Sequence, residues 1–271
     1  MLPAAFLLTM LAIGCSVQAA LSSLTADRAA AALQTAPSPD HTPSGVRIHR
    51  LALGASNAYL LENQAGLYLV DAGLPLTDGL ILERMEELGR DDLRLIFITH
   101  AHIDHYGAAA AVREATGAPI AIHRADAAAM AEGNTELGMV RDWEWSEDTL
   151  VPLIEDTIQI DPVEPDILLD DGASLAEYGL DAVVLHTPGH TPGSSVLIVD
   201  DAYAFVGDLI SANGKPHAQS MYAQDWPQLA DSIARVQALD LAWVYSGHGD
   251  EPISGEALRT LEARFADEPQ Q

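Results

Sequence analysis

The segment Thr99-His100-Ala101-His102-Ile103-Asp104-His105 places three histidines and an aspartate within six residues. It continues an apolar run over 93–99 that predicts a buried strand. Residues two apart in an extended chain point the same way, so His100 and His102 can hold one cation. If the chain then turns into the helix predicted from Gly107, Asp104 and His105 come to a neighbouring position. Buried imidazoles and a carboxylate placed together need polar partners or a metal, and we predict a metal.

Three more candidate ligands follow predicted strands in the second half of the chain. His190 lies in a loop rich in glycine and proline after the strand predicted over 182–186. Asp208 follows the strand over 203–206, and His248 follows the strand over 243–246. Adjacent glycines permit a close approach of the backbone at each position. Their repeated placement at strand ends indicates that they join the first cluster.

The surrounding pattern alternates short strands with helices. Strands are also predicted over 47–53, 58–62, 67–70, 119–123 and 195–199. Helices are predicted over 77–88, 107–116, 226–239 and 255–265. Residues 127–165 show no clean period and are predicted to form either a partly helical insertion or lid, or a surface loop. Strand-rich halves flanked by helices predict an α/β fold with two sheets packed face to face and helices outside.

The N-terminal segment predicts export. Residues 2–15 are nearly all apolar, which suits the core of a signal peptide and is short for a membrane span. We expect a signal peptide over 1–19, cleaved before Ala20, and a periplasmic or secreted protein. The apolar run lacks the usual preceding basic residues, so an uncleaved anchor or an internal start are alternatives. The segment ending at Cys15 also resembles a bacterial lipobox, with Ala12 in place of the usual leucine, so a lipidated Cys15 is an equal alternative.

Residues 20–45 are rich in Ala, Ser, Thr and Pro and predict a flexible tether, followed by one folded domain over 46–271. The 40 acidic and 13 basic residues give a net charge of −27. Such a surface repels phosphate groups, so we expect a small-molecule substrate, no nucleic acid, and membrane contact only through a lipid anchor or the signal segment. Cys15 is the only cysteine, which excludes an internal disulfide and a thiolate metal site.

The order His100-x-His102-x-Asp104-His105, then His190, Asp208 and His248, resembles the metallo-β-lactamase superfamily over about residues 47–265. The resemblance implies a four-layer αββα sandwich. It implies that His100, His102 and His190 bind one metal. It also implies that Asp104, His105 and His248 bind a second and that Asp208 bridges both. Imidazole and carboxylate ligands without sulfur suit Zn²⁺, two per chain, with Fe or Mn as alternatives.

The resemblance further implies a hydrolase similar to the single-domain glyoxalase II-like and lactonase-like enzymes. A hydroxide shared by two metals would attack a small ester, lactone or thioester. Asp104 would orient that hydroxide and pass a proton to the leaving group. Tyr222, in the loop after Asp208, is a candidate for polarising the substrate carbonyl, with a packing role as its alternative. Tyr106 is a weaker candidate for the same task.

Other activities of the superfamily remain as alternatives. The β-lactamases of this fold usually lack the bridging aspartate, so Asp208 weighs against that activity, whereas the expected export weighs for it. A mononuclear non-haem iron dioxygenase of the persulfide type uses fewer of the same ligands, and metal analysis separates it. The helical C-terminal domain of glyoxalase II is not expected in this chain. His123 and His186 are expected to be core or supporting histidines.

Overall fold

Two mixed β-sheets form the centre of the molecule. The computed structural model describes residues 40–134, 139–140 and 161–262. In chain order, the strands are β1 Arg47–Ala52, β2 Asn57–Glu62, β3 Leu67–Val70, β4 Leu93–Ile98, β5 Ile120–His123, β6 Met139–Val140, β7 Ile167–Leu169, β8 Ala182–His186, β9 Ser195–Val199, β10 Tyr203–Phe205, β11 Ile210–Ser211, β12 His217–Ala218, β13 Tyr222–Ala223, β14 Trp243–Tyr245 and β15 Ile253–Ser254. The helices are α1 Asp78–Glu87, α2 Ile103–Tyr106, α3 Ala109–Thr116, α4 Ala127–Glu132, α5 Trp226–Gln237 and α6 Gly255–Arg259, with a 3₁₀ turn over Ala176–Tyr178.

The first sheet has six strands in the order β1-β2-β3-β4-β5-β7, and the second has five in the order β15-β14-β10-β9-β8. In the first sheet, β3, β4, β5 and β7 run parallel to one another. In the second sheet, β10 pairs with β14 in parallel and with β9 antiparallel. Parallel neighbours bring their carboxyl ends to one edge of a sheet, and that edge carries the predicted ligands.

Three apolar clusters show that the sheets and helices form four layers. Alternate residues of β4 point to opposite faces, as the strand geometry requires. Ile96 and Ile98 pack with residues of α1, α3 and α4, whereas Leu95 and Phe97 pack between the two sheets. A third cluster joins the outer face of the second sheet to α5 and α6. The order helix, sheet, sheet, helix is the predicted αββα sandwich.

The long apolar elements were predicted within one or two residues of their bounds, and the shortest ones were missed. The missed elements are α2, β6, β7, β11, β12, β13 and β15, whereas α4 lies at the start of the segment over 127–165 for which a partly helical insertion was one alternative. The predicted helix over 255–265 is too long, because α6 ends at Arg259. The carbonyls of Leu258 and Leu261 accept hydrogen bonds from the Gln237 side chain of α5, at 2.9 and 2.7 Å. The Gln237 amide therefore provides hydrogen bonds for carbonyls at the C-terminal end of α6, where the helix itself offers no further donors.

Residues 40–45 were predicted to belong to the tether, but they are hydrogen-bonded to the domain. Ile48 donates to the Asp40 carbonyl at 3.0 Å, and the backbone N–H of Ser44 donates to the Asp200 carboxylate at 2.8 Å. The expected signal peptide, Cys15 and the rest of the tether lie outside the described residues, as does most of the expected lid, over 135–138 and 141–160. In the described part of the chain, no helix has the length and apolar character to cross a membrane.

Candidate metal centre

The seven predicted ligands meet at one edge of the sandwich. The loop after β4 runs into α2 and carries His100, His102, Asp104 and His105. Loops after β8, β10 and β14 carry the other three ligands, which are His190, Asp208 and His248. The structure gathers these side chains into two adjoining groups, the first formed by His100, His102, His190 and Asp208, the second by Asp104, His105 and His248.

In the first group, three imidazole nitrogens converge on one point. Nε2 of His100 and Nε2 of His190 each lie 3.1 Å from Nδ1 of His102. Ligand atoms about 2 Å from one tetrahedral zinc ion stand about 3.3 Å apart, so this spacing fits a shared cation. All three rings are buried.

Asp208 touches both groups. Its Oδ1 lies 3.1 Å from Nε2 of His105 and 3.1 Å from Nε2 of His248. Its Oδ2 lies 3.5 Å from Nε2 of His190 in the first group. The Asp104 carboxylate completes the second group, with Oδ2 3.5 Å from Nε2 of His248. The Asp208 carboxylate therefore has one oxygen facing each ligand group.

The polar atoms at the centre of this site fit a cation better than they fit one another. Nε2 of His105 and Oδ1 of Asp208 are buried, and neither forms a properly directed hydrogen bond. Buried polar atoms without partners are rare in folded proteins, and a cation between these two atoms would satisfy both. The donor set of five imidazoles and two carboxylates is one that binds divalent transition metals.

The pKa values of two first-group histidines favour the neutral ring that can bind a cation. Burial, with the neighbouring His102 as the next cause, lowers the pKa of His190 to about 3. Burial and the nearby histidines lower the pKa of His100 well below its usual value. These two imidazoles are therefore neutral and keep a lone pair for a metal. Burial lowers the pKa of His105 too, but the surrounding carboxylates, Asp208 first among them, outweigh it and raise that pKa overall.

Asp71 holds ligands of both groups, and it was not predicted from the sequence. His105 donates from Nδ1 to Asp71 Oδ2 at 2.9 Å. Thr99 donates to the same carboxylate from its backbone N–H at 2.8 Å and its hydroxyl at 2.9 Å. That hydroxyl is left to accept from Nδ1 of His100 at 3.0 Å. Asp71 follows β3, so its position at a strand end was the signal that could have found it.

Asp126 is a second missed residue, and it joins the two loops that carry the first group. Its buried carboxylate accepts from the Ala101 backbone at 2.9 Å, the Thr191 hydroxyl at 2.7 Å and the Gly193 backbone at 2.6 Å. Ala101 lies between two ligands, and Thr191 follows His190 directly. Such outer hydrogen bonds set the orientation of metal ligands.

The two candidate tyrosines lie in different surroundings. The Tyr222 ring centroid is 5.6 Å from that of His102 and 5.2 Å from that of His190, and the Tyr222 carbonyl accepts from His190 Nδ1 at 3.2 Å. Tyr106 is fully buried in the core between the first sheet and its helices. This burial places Tyr106 away from a substrate.

The remaining histidine pair, His123 and His186, lies outside the cluster. Their rings stack with centroids 3.8 Å apart. His186 Nε2 donates to the Pro192 carbonyl at 2.8 Å, in the loop that follows His190.

Comparison with known proteins places this site in a family. A model described as the metallo-beta-lactamase superfamily matches residues 51–248. A probable metallo-hydrolase of Methanocaldococcus jannaschii is 28% identical over 202 residues, which cover 72% of this chain and 88% of that protein. An N-acyl homoserine lactonase of a Bacillus species is 28% identical over 167 residues, covering 52% of this chain and 57% of that enzyme.

A solved structure shares the architecture. The beta-lactamase from Chitinophaga pinensis matches with a TM-score of 0.56 and 26% identity, over 74% of this chain and 75% of that one. The family match spans all seven residues of the cluster, which is a metal-binding His/Asp site of the kind this fold carries. The chain belongs to the metallo-β-lactamase superfamily and is a metal-dependent hydrolase.

Proposed function

We propose that the protein is a dinuclear zinc hydrolase that cleaves a small, uncharged ester, lactone or thioester. The observation that carries the proposal is the position of Asp208, whose two carboxylate oxygens face different ligand groups. A carboxylate placed in this way can bridge two ions. Two ions at such a site form a clamp for both the attacking and the leaving oxygen of a hydrolysis.

Each group would hold one ion. His100, His102 and His190 would bind the first, and Asp104, His105 and His248 the second, with Asp208 between them. When bound, such ions lower the pKa of a coordinated water to about 7 and polarise the scissile carbonyl. Iron or manganese would fit the same donor atoms, so metal analysis is part of the test.

The residues of the chain supply orientation and a proton path. The Asp104 side chain is about 16% exposed, so one carboxylate oxygen can face both the second group and a substrate. There it orients the attacking water and carries a proton to the leaving group. Burial, with the charges of Asp208 and Asp104 as further causes, raises the pKa of Tyr222 well above its usual value. The Tyr222 phenol is therefore protonated at neutral pH and can donate to a substrate carbonyl.

A pocket of about 200 Å³ beside His102 supports a small substrate. Ligand pockets for drug-sized molecules are typically about 300–1,000 Å³, so this one takes a short group. Its wall includes four alanines, and its polar lining residues include Asp126 and Glu132. No lysine or arginine is among the lining residues in the described part of the chain. Among the described residues, the pocket lining thus favours an uncharged substrate over one with a carboxylate.

One curated relative supports the same substrate class. It is named as an N-acyl homoserine lactonase, and a lactone is among the proposed substrates. A beta-lactamase shares the fold, and β-lactamase activity is the second candidate.

A substrate panel tests the proposal directly. The purified protein, loaded with zinc, is assayed on neutral lactones, aryl esters, thioesters, a phosphodiester and a cephalosporin, and its metal content is measured in parallel. We expect about two zinc ions per chain and the highest kcat/KM on a short neutral ester or lactone. A single iron ion per chain, or activity confined to the cephalosporin, would contradict the proposal.

We also propose that the protein is exported, since residues 2–15 carry no charge and suit a signal peptide. Mass spectrometry of the mature N-terminus decides between the alternatives. A start at Ala20 indicates a free exported enzyme, and a lipidated start at Cys15 indicates an anchored one. An intact Met1 in the cytosolic fraction would contradict export.

A further inference from the structure

Asp71 and Asp208 serve both ligand groups, but the other supports of the two groups come from different parts of the fold. The first group is supported by Thr99, by the Tyr222 carbonyl and by Asp126. In the second group, His105 is held by Asp71, whereas His248 and Asp104 are supported by the β1–β2 hairpin, which comprises β1, β2 and the turn over residues 53–56. This division suggests that the two metal sites can be adjusted separately.

The turn of the hairpin contacts two of the three second-group ligands. His248 donates from Nδ1 to the Ala55 carbonyl at 2.8 Å, which directs Nε2 toward Asp208 and Asp104. The Ser56 hydroxyl donates to the backbone carbonyl of Asp104. A hydrogen bond to the second nitrogen of a metal-binding histidine fixes both its tautomer and the direction of its ring.

Asn57 holds the short loop that carries His248. Its backbone N–H donates to the Gly247 carbonyl at 2.7 Å. Its side-chain amide donates to the carbonyls of Gly249 at 2.8 Å and Ser246 at 3.2 Å. Asn57, which is buried, therefore makes three hydrogen bonds to residues on both sides of His248.

Two further side chains of the hairpin complete this support. The buried Arg50 guanidinium donates to the Asn57 side-chain oxygen at 3.1 Å, and so fixes which end of the amide faces the loop. Arg50 also donates to the Gly249 carbonyl at 3.1 Å. The Tyr59 hydroxyl donates to the Ser246 carbonyl at 2.8 Å. On the loop itself, all of these bonds are made to backbone carbonyls, so the hairpin sets the path of the chain around His248.

We propose that the β1–β2 hairpin is the positioning element of the second metal site and sets the affinity of that site independently of the first. Asn57 and Ser56 are its positioning residues. The proposal rests on the two-metal function above. Loss of an outer hydrogen bond typically weakens metal binding by about 10–100-fold, and here the loss falls on one ion of the pair.

Metal titration of the full-length protein tests the proposal. Zinc is removed and Co²⁺ is added back, and the binding steps are followed by visible absorption and calorimetry. The variants His190→Ala and His248→Ala identify which step belongs to which group. We expect Asn57→Leu and Ser56→Ala to weaken the second-group step by about 10–100-fold and to leave the first-group step unchanged. Ser56→Thr, which keeps the hydroxyl, should restore much of the affinity.

Two controls make the test specific. Asn63→Leu makes the same substitution just beyond the far end of β2, where the side chain only accepts from the Ala65 and Gly66 backbone and donates to the Gly179 carbonyl. It should leave both steps unchanged. Asp126→Asn should weaken the first-group step instead. If Asn57→Leu fails to fold, Ser56→Ala and Ser56→Thr carry the comparison.

The outcomes separate the proposal from the function on which it rests. A wild-type protein that binds a single ion overturns the two-metal function and this proposal together. A wild-type protein that binds two ions, with hairpin variants that weaken both steps equally or neither, overturns this proposal alone.

Discussion

Asp208 is the residue on which the proposed two-metal arrangement depends. Its side chain is almost fully buried, and its two oxygens face ligands of different groups. We predict that Asp208→Ser weakens both metal-binding steps by more than about 100-fold each, since a lost direct ligand costs more than a lost outer contact. The measurement is a zinc titration against a chelator of known affinity. Loss of one ion with the other unchanged would show that Asp208 does not bridge.

Asp104 should matter for turnover more than for folding. It lies in the second group and faces the partly open side of the cluster. We predict that Asp104→Ala loses about one metal per chain and at least about a thousandfold in kcat, because one change removes both a ligand and the group that orients the water. Metal analysis and steady-state kinetics measure this, and circular dichroism checks that the fold is kept. A variant with wild-type kcat would remove Asp104 from the mechanism.

Tyr222 offers a sharper test, since its phenol hydroxyl can be removed without a large change of shape. A donor to the developing negative charge on a carbonyl oxygen typically contributes about 100-fold or more to kcat. We therefore predict that Tyr222→Phe lowers kcat by about 100-fold, with metal content unchanged, because His190 bonds to the Tyr222 carbonyl rather than to its side chain. An unchanged kcat would leave Tyr222 with a packing role only.

At the scale of elements, the His190 loop depends on its close packing against α5. Gly189 has φ +130°, and a Cβ at this position would come within 2.2 Å of the Leu229 backbone nitrogen. We predict that Gly189→Ala destabilises the protein by more than about 1 kcal/mol and weakens the first-group metal step, because the loop must move away from the helix. Urea unfolding and metal titration check both effects.

The matched control for that prediction is Gly172→Ala. Gly172 also has a positive φ of +78°, but nothing lies within 4 Å of the added Cβ. It should therefore show the cost of the backbone conformation alone, with metal binding intact. If the two variants behave alike, the contact with α5 is not what holds His190.

Elements also show which parts of the structure could be predicted from the sequence. Strands such as β4 carry enough apolar residues for their burial to decide their conformation, so pattern alone finds them. Strands of two residues, such as β11 and β12, exist because each pairs with the other, and a two-residue run has no period to detect. The short helix α2 forms where the ligand loop turns, as predicted in outline but not as a helix.

The candidate site also contains residues that could be predicted from the sequence and residues that could not. The seven clustered residues were predicted because metal-binding side chains at strand ends are conspicuous in a sequence. Asp126 was missed because a single aspartate in an alanine-rich stretch carries no pattern of its own. The contacts of Asn57 run to backbone carbonyls, and nothing in a sequence marks which carbonyls a distant asparagine will reach.

At the scale of the whole molecule, His49 should make stability depend on pH. It is buried in β1, donates from Nε2 to Glu62 at 2.9 Å and accepts at Nδ1 from Arg84 at 3.2 Å. Burial is the main cause that lowers its pKa below the usual 6.5, with Arg84 acting in the same direction. The unfolded chain therefore binds the proton more readily, so the contribution of His49 is complete above about pH 6.5 and is lost as the pH falls below it.

Urea unfolding at pH 7.5 and pH 5.5 measures this effect. His49→Gln keeps a donor and an acceptor but does not titrate, so it serves as the control. We predict that the wild-type protein loses more unfolding free energy than His49→Gln between the two pH values. An equal loss in both proteins would assign the pH dependence to other groups.

The spread of the ligands along the chain has a consequence for the timing of metal capture. Four separate loops contribute them, the first at His100 and the last at His248. A ribosome must therefore complete most of the polypeptide, and both sheets must come together, before the proposed metal site has its full set of ligands. Metal acquisition is then a late step that accompanies folding. The compartment in which the newly made chain folds, through the metals it has available, decides which ion the enzyme carries.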